Sequence, residues 1–246
     1  MSLDGAYLSL LRQEFIDNGL IGSRVDKIHQ PSKEELIISL RALGGTKKLL
    51  FSAANSGARV NLSSLSPENP ASPPMLCMLM RKHLGNGRLL AIEQDGFERI
   101  LRFDFECMSE IGDIVTNSLI IEIMGRHSNI ILTSGGKVID SVKRITDDIS
   151  SVRRILPGVA YELPPRQKRL NLSSCTAQEV KQALDDCTEE RLSKALMAVF
   201  EGISPILARE WIYYICHNTE LAKPELTADG FDKLMFFINR IRKAFA

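Results

Sequence analysis

The chain has 246 residues, 44% of them apolar and 25% charged, the make-up of an ordinary globular protein long enough for two modest cores. Its net charge of +1 hides an uneven distribution, with Lys143, Arg144, Arg153, Arg154, Arg166, Lys168 and Arg169 dominating residues 141–170 and acids dominating 171–201, so near-neutrality does not exclude a polyanionic partner. Five cysteines without a CxxC pair argue against a zinc site or a disulfide framework and for reduced thiols in the cytoplasm, while the N-terminus lacks a signal-peptide pattern and no apolar run is long enough to predict membrane insertion.

Asp4 is placed to cap a core-facing amphipathic helix in which Tyr7, Leu8, Leu11 and Phe15 recur at helical spacing and which Asn18-Gly19 stops. Strands are predicted over 24–30, 35–41, 47–53 and 58–62, with turn chemistry at Pro31-Ser32, Gly44-Gly45 and Asn55-Ser56-Gly57, and together they read as an antiparallel meander. Residues 66–74 contain four prolines and must be loop. A helix over 75–83, ended by Gly85, carries Met75, Leu76, Met78, Leu79 and Met80, apolar on nearly every side and therefore expected between layers. Arg81, Lys82 and His83 in its last turn complement the helix dipole, and Arg81 and Lys82 are also candidate nucleic-acid contacts.

A second meander begins with strands over 89–93 and 99–106 around the turn Asp95-Gly96, with Leu101, Phe103 and Phe105 alternating with charged residues. Next comes an apolar run, Leu119 to Met124, then Gly125-Arg126-His127-Ser128-Asn129, then Ile130 to Leu132. Ser134-Gly135-Gly136 supplies a hairpin turn, and Val138 to Val142 is the returning strand. Arg126, His127, Lys143, Arg144, Arg153 and Arg154 sit on or near these turns, the composition of a surface that meets phosphate. Pro157-Gly158 and Pro164-Pro165, followed by Arg166, Lys168 and Arg169, predict an extended basic linker.

Beyond it the periodicity becomes helical. Thr176 and Glu179 form a capping box for a helix to Asp186, Thr188 caps one reaching Phe200, Ser204-Pro205 opens one ending at His217, and the last runs from Thr227 to Phe245. The turn at Gly202 is of the kind that brings backbone N–H groups to phosphate, although the same turn joins many helices that bind nothing. The expected architecture is α+β: residues 1–170 a mostly antiparallel domain of about eight strands and two helices, residues 171–246 a small all-α domain. The closing basic helix predicts a longer protein. No nucleotide-binding, nucleophile-elbow or zinc-protease motif occurs, and the histidines lie far apart in sequence, so neither catalytic residues, a metal nor a cofactor is expected.

Taken in order, MSLDG at 1–5, RVDKIHQP at 24–31, PPMLCMLMRKH at 73–83, IMGRHSNIIL at 123–132, IDSVKR at 139–144, RILPG at 154–158 with Tyr161 and Pro164-Pro165, and GISP at 202–205 resemble the N-terminal region of the NFACT family. The resemblance implies a first domain similar to the N-terminal domain of the formamidopyrimidine-DNA glycosylases and a helix-hairpin-helix-like second domain. The glycosylases' N-terminal proline nucleophile has no counterpart in Met1-Ser2-Leu3-Asp4, so the reaction is not expected. The family resemblance further implies binding to a stalled large ribosomal subunit carrying peptidyl-tRNA, with contacts to rRNA and recruitment of alanine tRNA for C-terminal alanine tailing. Its Asp-Arg tRNA element falls on Glu98-Arg99, where glutamate replaces aspartate and lengthens the reach by one methylene. The family's coiled coil and C-terminal RNA-binding domain have no counterpart in these residues. An alternative is a fibronectin-binding surface adhesin, and a third reading is residual glycosylase-like DNA binding.

Overall fold

The computed structural model describes residues 3–165, 168–218 and 220–245, so Arg166 of the expected linker lies outside the described residues. Nine strands form one antiparallel sheet: β1 Arg24–Ser32, β2 Glu35–Ala42, β3 Gly45–Ser52, β4 Arg59–Leu62, β5 Arg88–Glu93, β6 Ile100–Met108, β7 Ile114–Glu122, β8 Asn129–Ser134 and β9 Lys137–Ser141. Their order is β4-β3-β2-β1-β5-β6-β7-β8-β9. Two meanders are thus joined where Arg24 meets Arg88, with Val25 N–H donating to the Gly87 carbonyl and Leu89 N–H to that of Ser23.

Pro31, expected in a turn, lies inside β1. A register shift between His29 and Ser32 accommodates it there, and the hairpin turns one step later at Lys33-Glu34. A proline cannot donate to a ladder, so it enters a strand where the pairing is already irregular.

Helix α1, Gly5–Asp17, starts as its sequence demands, with the Asp4 carboxylate accepting from Tyr7 N–H at 2.8 Å. Leu8, Leu11 and Phe15 are buried, whereas Tyr7 is 48% exposed. Helix α2, Met75–Leu84, corrects a second expectation, because it is not buried on every side. Leu76, Cys77, Met80 and Leu84 face inward while Met75 and Met78 are 72% and 49% exposed. The main strand neighbours of α2 are β1, β9 and β6. Phe51 and Phe103 meet edge to face at 5.1 Å in the core of the sheet, a geometry that adds to the burial of their area.

The run Leu119 to Ile123 is buried without a break, and the reason lies after β9. Residues 145–161 fold back, so that Pro157-Gly158, the expected start of the linker, stays against β9. Ile145 and Ile155 exchange backbone hydrogen bonds, Val138 N–H donates to Val159, and Tyr161 N–H donates to Gly136. Ile155, with Ile145 and Tyr161, then closes a small second core over Ile100, Ile120, Ile131 and Val138. With both faces covered, β7 and β8 need apolar residues at successive positions.

The chain divides into two compact units, one of residues 1–3, 11–95 and 99–165, the other of residues 4–10, 96–98 and 166–246. The second unit holds α3 Ala177–Asp186, α4 Leu192–Val199, α5 Pro205–Cys216 and α6 Ala228–Phe245. Thr176 and Glu179 make the reciprocal capping box of α3. Ser204 Oγ accepts from Leu207 N–H at 3.2 Å, Pro205 occupies the first turn of α5, and His217 ends it at φ 56°. Helix α4 begins three residues later than Thr188 would allow. Glu190 to Leu192 are instead engaged by a second segment: Leu192 N–H donates to Leu221 and Lys223 N–H to Glu190.

Candidate nucleic-acid interface

Glu98 and Arg99 lie in the turn between β5 and β6, both half-buried. The residue before them fixes the turn. Phe97 is 4% exposed and belongs to the apolar core of the second unit, with Leu172, Phe200 and Trp211. Gly96 adopts φ 56°, and a Cβ there would stand 2.6 Å from the Glu201 carboxylate, which accepts from Phe97 N–H at 3.3 Å. Two further glycines close on Phe97. A Cβ on Gly5 would fall 1.6 Å from the Phe97 carbonyl oxygen, and one on Gly202 would fall 2.4 Å from Phe97 Cβ. Ala6 N–H donates to the Gly202 carbonyl. On the far side of Glu98, the Arg99 carbonyl accepts from Ile123 N–H at 2.8 Å. The backbone on either side of Glu98-Arg99 is therefore held by hydrogen bonds and close packing.

This arrangement assigns the Gly202 turn a packing role. Its φ is 72° and its carbonyl accepts from Ala6, so conformation and packing are enough to require glycine there.

Gly125–His127 forms a single 3-10 turn after β7, and Ser128 leads from it into Asn129, the first residue of β8. Ser128 and Asn129 point inward and are fully buried. Ser128 Oγ accepts from Met124 N–H at 2.8 Å, while the Asn129 amide donates to the Lys143 carbonyl at 2.7 Å and accepts from Lys143 N–H at 2.9 Å. The side chain of Asn129 thus ties the start of β8 to the chain leaving β9. Arg126 and His127 are exposed, and Arg126 Nε donates to His127 Nε2 at 3.0 Å.

The remaining predicted cations separate into two groups. Arg153 and Lys143 are engaged within the first unit. The Arg153 side chain is 9% exposed and grips the fully buried Glu122 carboxylate with two nitrogens, one at 2.8 Å, while Tyr161 O–H donates to the same carboxylate at 2.8 Å. Burial opposes the charge on Arg153, but the hydrogen bonds and charge of Glu122 outweigh it and raise the guanidinium's pKa. Burial and then the Glu122 charge push the Tyr161 phenol far above its ordinary value. Lys143 Nζ donates to the Ala53 carbonyl at 2.8 Å and pairs with Glu34 at 3.1 Å.

Arg81, Lys82, Arg144 and Arg154 are exposed. Arg81 Nε donates to the Ile28 carbonyl, Lys82 pairs with Glu110 at 2.8 Å, Arg144 with Asp140 at 2.9 Å, and Arg154 with Asp147 at 3.7 Å. The Lys82 contact lowers the Glu110 pKa and the Asp140 contact raises that of Arg144. Exposed pairs such as Lys82–Glu110 and Arg154–Asp147 contribute little to stability and exchange readily for another anion, whereas Arg144 holds the buried Asp140 carboxylate with two nitrogens, at 2.9 and 3.1 Å.

Phe97, Glu201 and Ser128 escaped the sequence reading as determinants of this geometry. Phe97 offered one signal, a large apolar side chain next to a turn glycine, which is a poor choice for an exposed hairpin tip. Among the described residues no group of three or more His, Cys, Asp or Glu could hold a metal ion.

A family model described as NFACT N-terminal and middle domains matches residues 4–246. The Rqc2 homolog RqcH of Bacillus subtilis (strain 168) is 40% identical over 215 residues, covering 87% of this chain and 37% of that protein. The human ribosome quality control complex subunit NEMF is 30% identical over 139 residues, covering 56% of this chain and 12% of that protein. The N-terminal part of the fibronectin/fibrinogen-binding protein from Streptococcus suis superposes with a TM-score of 0.81 at 32% identity, covering 97% of this chain and 85% of that one. The chain therefore spans little more than a third of the B. subtilis relative's length, and with a family match running through both of its units it belongs to the NFACT family.

Proposed function

We propose that this chain is the N-terminal module of a ribosome-quality-control factor and acts without catalysis, as an RNA-binding piece that engages large ribosomal subunits carrying peptidyl-tRNA and recruits alanyl-tRNA for C-terminal alanine tailing. The observation that carries the reading is the match to RqcH over 87% of the chain, together with a Glu98-Arg99 turn whose backbone is pinned on both sides. Backbone held in this way within each unit suits selective recognition, because that part of the ordering cost is met on folding and not on binding.

In this reading Glu98 and Arg99 make the selective tRNA contact, and Arg81, Lys82, Arg126, His127, Arg144 and Arg154 supply a salt-sensitive attraction to phosphate. Arg153 and Lys143 act indirectly, by holding the chain that presents Arg144 and Arg154. The first unit is read as the counterpart of the glycosylase N-terminal domain and the second as helix-hairpin-helix-like, with the Gly202 turn packing instead of gripping phosphate. The module works in the cytoplasm.

The test is sedimentation of the full-length protein with ribosomes, with and without Glu98→Ala and Arg99→Ala. Loss of alanine tRNA from the complex, with large-subunit association retained, is the expected result. Unchanged tRNA recovery would refute the assignment of the pair. The structural likeness to a protein named for fibronectin and fibrinogen binding supports a second reading, an adhesin. Saturable binding of immobilised fibronectin that survives Glu98→Ala with Arg99→Ala, together with absence from ribosomal fractions, would favour it.

A further inference from the structure

We propose that the outer face of β1, β2 and β3 carries a binding site for a phosphate group, walled by Lys27, His29 and Lys48 and floored by Ile37 and Ser39. The sheet register builds it. Lys27 lies opposite Ser39, and Ser39 lies opposite Lys48, so one row of the sheet reads lysine, serine, lysine. Adjacent strands stand about 4.8 Å apart, which sets the two lysine Cα atoms roughly 10 Å from each other on either side of a hydroxyl. His29 follows Lys27 on the same face two residues on, opposite Ile37.

The loop after β4 forms the remaining wall of a groove of about 340 Å³, through Leu65, Ser66 and Asn69. That volume is enough for a phosphate and its attached sugar. Lys48 Nζ donates to Ser66 Oγ and, at 3.4 Å, to the Leu65 carbonyl. These neutral acceptors orient the ammonium group and leave its charge uncompensated. Asp26 also lines the groove, but Arg41 pairs with it. Among the described residues no carboxylate pairs with Lys27, His29 or Lys48, in contrast to Lys82, Arg144 and Arg154 on the same unit.

Two lysines facing one another without an acid between them repel, and folding tolerates that arrangement at a cost in stability. The imidazole of His29, two residues along β1 from Lys27, registers the field: burial lowers its pKa first, and then the charges of Arg81, Lys27 and Lys48 lower it further. An oxyanion seated on Ser39 would neutralise the row, accept from both ammonium groups, and favour the protonated imidazole. Phosphate chemistry fits because the donors converge from three sides, whereas a carboxylate presents acceptors in a single plane. This site stands on residues separate from Glu98-Arg99 and does not depend on what that turn recognises.

The decisive experiment follows the His29 ring resonances of the 246-residue chain by NMR, assigned with His29→Gln. Inorganic phosphate, adenosine monophosphate and oligouridine are titrated in turn, each against potassium chloride at matched ionic strength. Phosphate is expected to raise the His29 titration midpoint by about one pH unit beyond the chloride control, as an opposite charge at contact distance does. Lys27→Gln with Lys48→Gln should weaken binding at least ~10-fold, the equivalent of losing one charge-assisted hydrogen bond. Lys27→Arg with Lys48→Arg keeps the charge and should retain it. Tighter binding of adenosine monophosphate than of oligouridine identifies a free nucleotide as the source of the phosphate, and the reverse identifies an RNA backbone. A midpoint that follows only ionic strength, or a glutamine pair that binds phosphate like the wild type, overturns the proposal.

Discussion

Arg153→Met is expected to destabilise the first unit far more than Arg154→Met, although the two arginines are neighbours in sequence. Glu122 is fully buried and receives two nitrogens of Arg153 and the hydroxyl of Tyr161. Methionine preserves much of the aliphatic stem but leaves that carboxylate with a single neutral donor. Breaking a buried pair from one side costs about 3–5 kcal/mol, because the remaining charge stays out of water. Arg154 faces Asp147 at 3.7 Å with side chains 53% and 78% exposed, and removing such a pair costs about 0–1 kcal/mol. Urea denaturation followed by circular dichroism measures both. The lone tryptophan, Trp211, lies in the second unit and reports on the wrong part of the chain. A compensating variant, Glu122→Gln with Arg153→Met, should recover part of the loss. If Arg153→Met unfolds within about 1 kcal/mol of wild type, the reasoning from burial is refuted. The same result bears on RNA binding, since weakened binding in an Arg153 variant is expected from misfolding alone.

Other outcomes follow from the same geometry. Gly202→Ala combines a left-handed φ of 72° with a Cβ only 2.4 Å from Phe97 Cβ, so the second unit should lose its packing, seen as a red shift in Trp211 fluorescence; an unchanged spectrum would contradict the proposed contact. Iodoacetamide at pH 8 should label Cys187 and Cys216 first, because burial raises the thiol pKa of Cys77 and Cys175 and pushes that of Cys107 up to about 11; mass spectrometry showing early modification of Cys107 would count against it. His29 has its pKa lowered in the fold, so the unfolded chain binds more protons below its ordinary value of 6.5, and the stability present above that pH is lost as pH falls through the folded value. Denaturation midpoints measured down the acid limb should decline less steeply in His29→Gln, and an unaltered slope would remove His29 as a contributor.

Much of the fold was legible because local chemistry and tertiary structure agree. Thr176 with Glu179, and Ser204 with Pro205, mark helix starts through hydrogen bonds made within a few residues, and period-two burial in β6 follows from one face meeting the core. The failures were tertiary. Nothing local told Met78 that its side of α2 would stay uncovered, or told Pro157-Gly158 that the chain would return to β9. Residues 188–191 carry a good cap for a helix but are drawn to Leu221 and Lys223, a contact that a linear reading does not reveal. At the candidate site, sequence named the cations but not their partners. Arg153 and Arg154 look alike until Glu122 is brought beside one of them, and Lys27 and Lys48 draw no notice until Ser39 sets them in one row.

The contact of Gly5, Phe97 and Gly202 also dictates when the chain can finish folding. Residues 4–10 are made well before the rest of their unit, and Ala6 donates its N–H to the carbonyl of Gly202, almost two hundred residues later. Most of the nine-stranded ladder pairs neighbours in sequence and can form as it emerges. The helical unit cannot complete its core until residues around Gly202 meet Ala6 and Phe97. A fragment cut at the visible change of periodicity, residues 171–246, would lack Gly5, Ala6 and Phe97 and with them part of its own core. A piece able to complete that unit must therefore carry residues 4–10 and 96–98 as well as the helices.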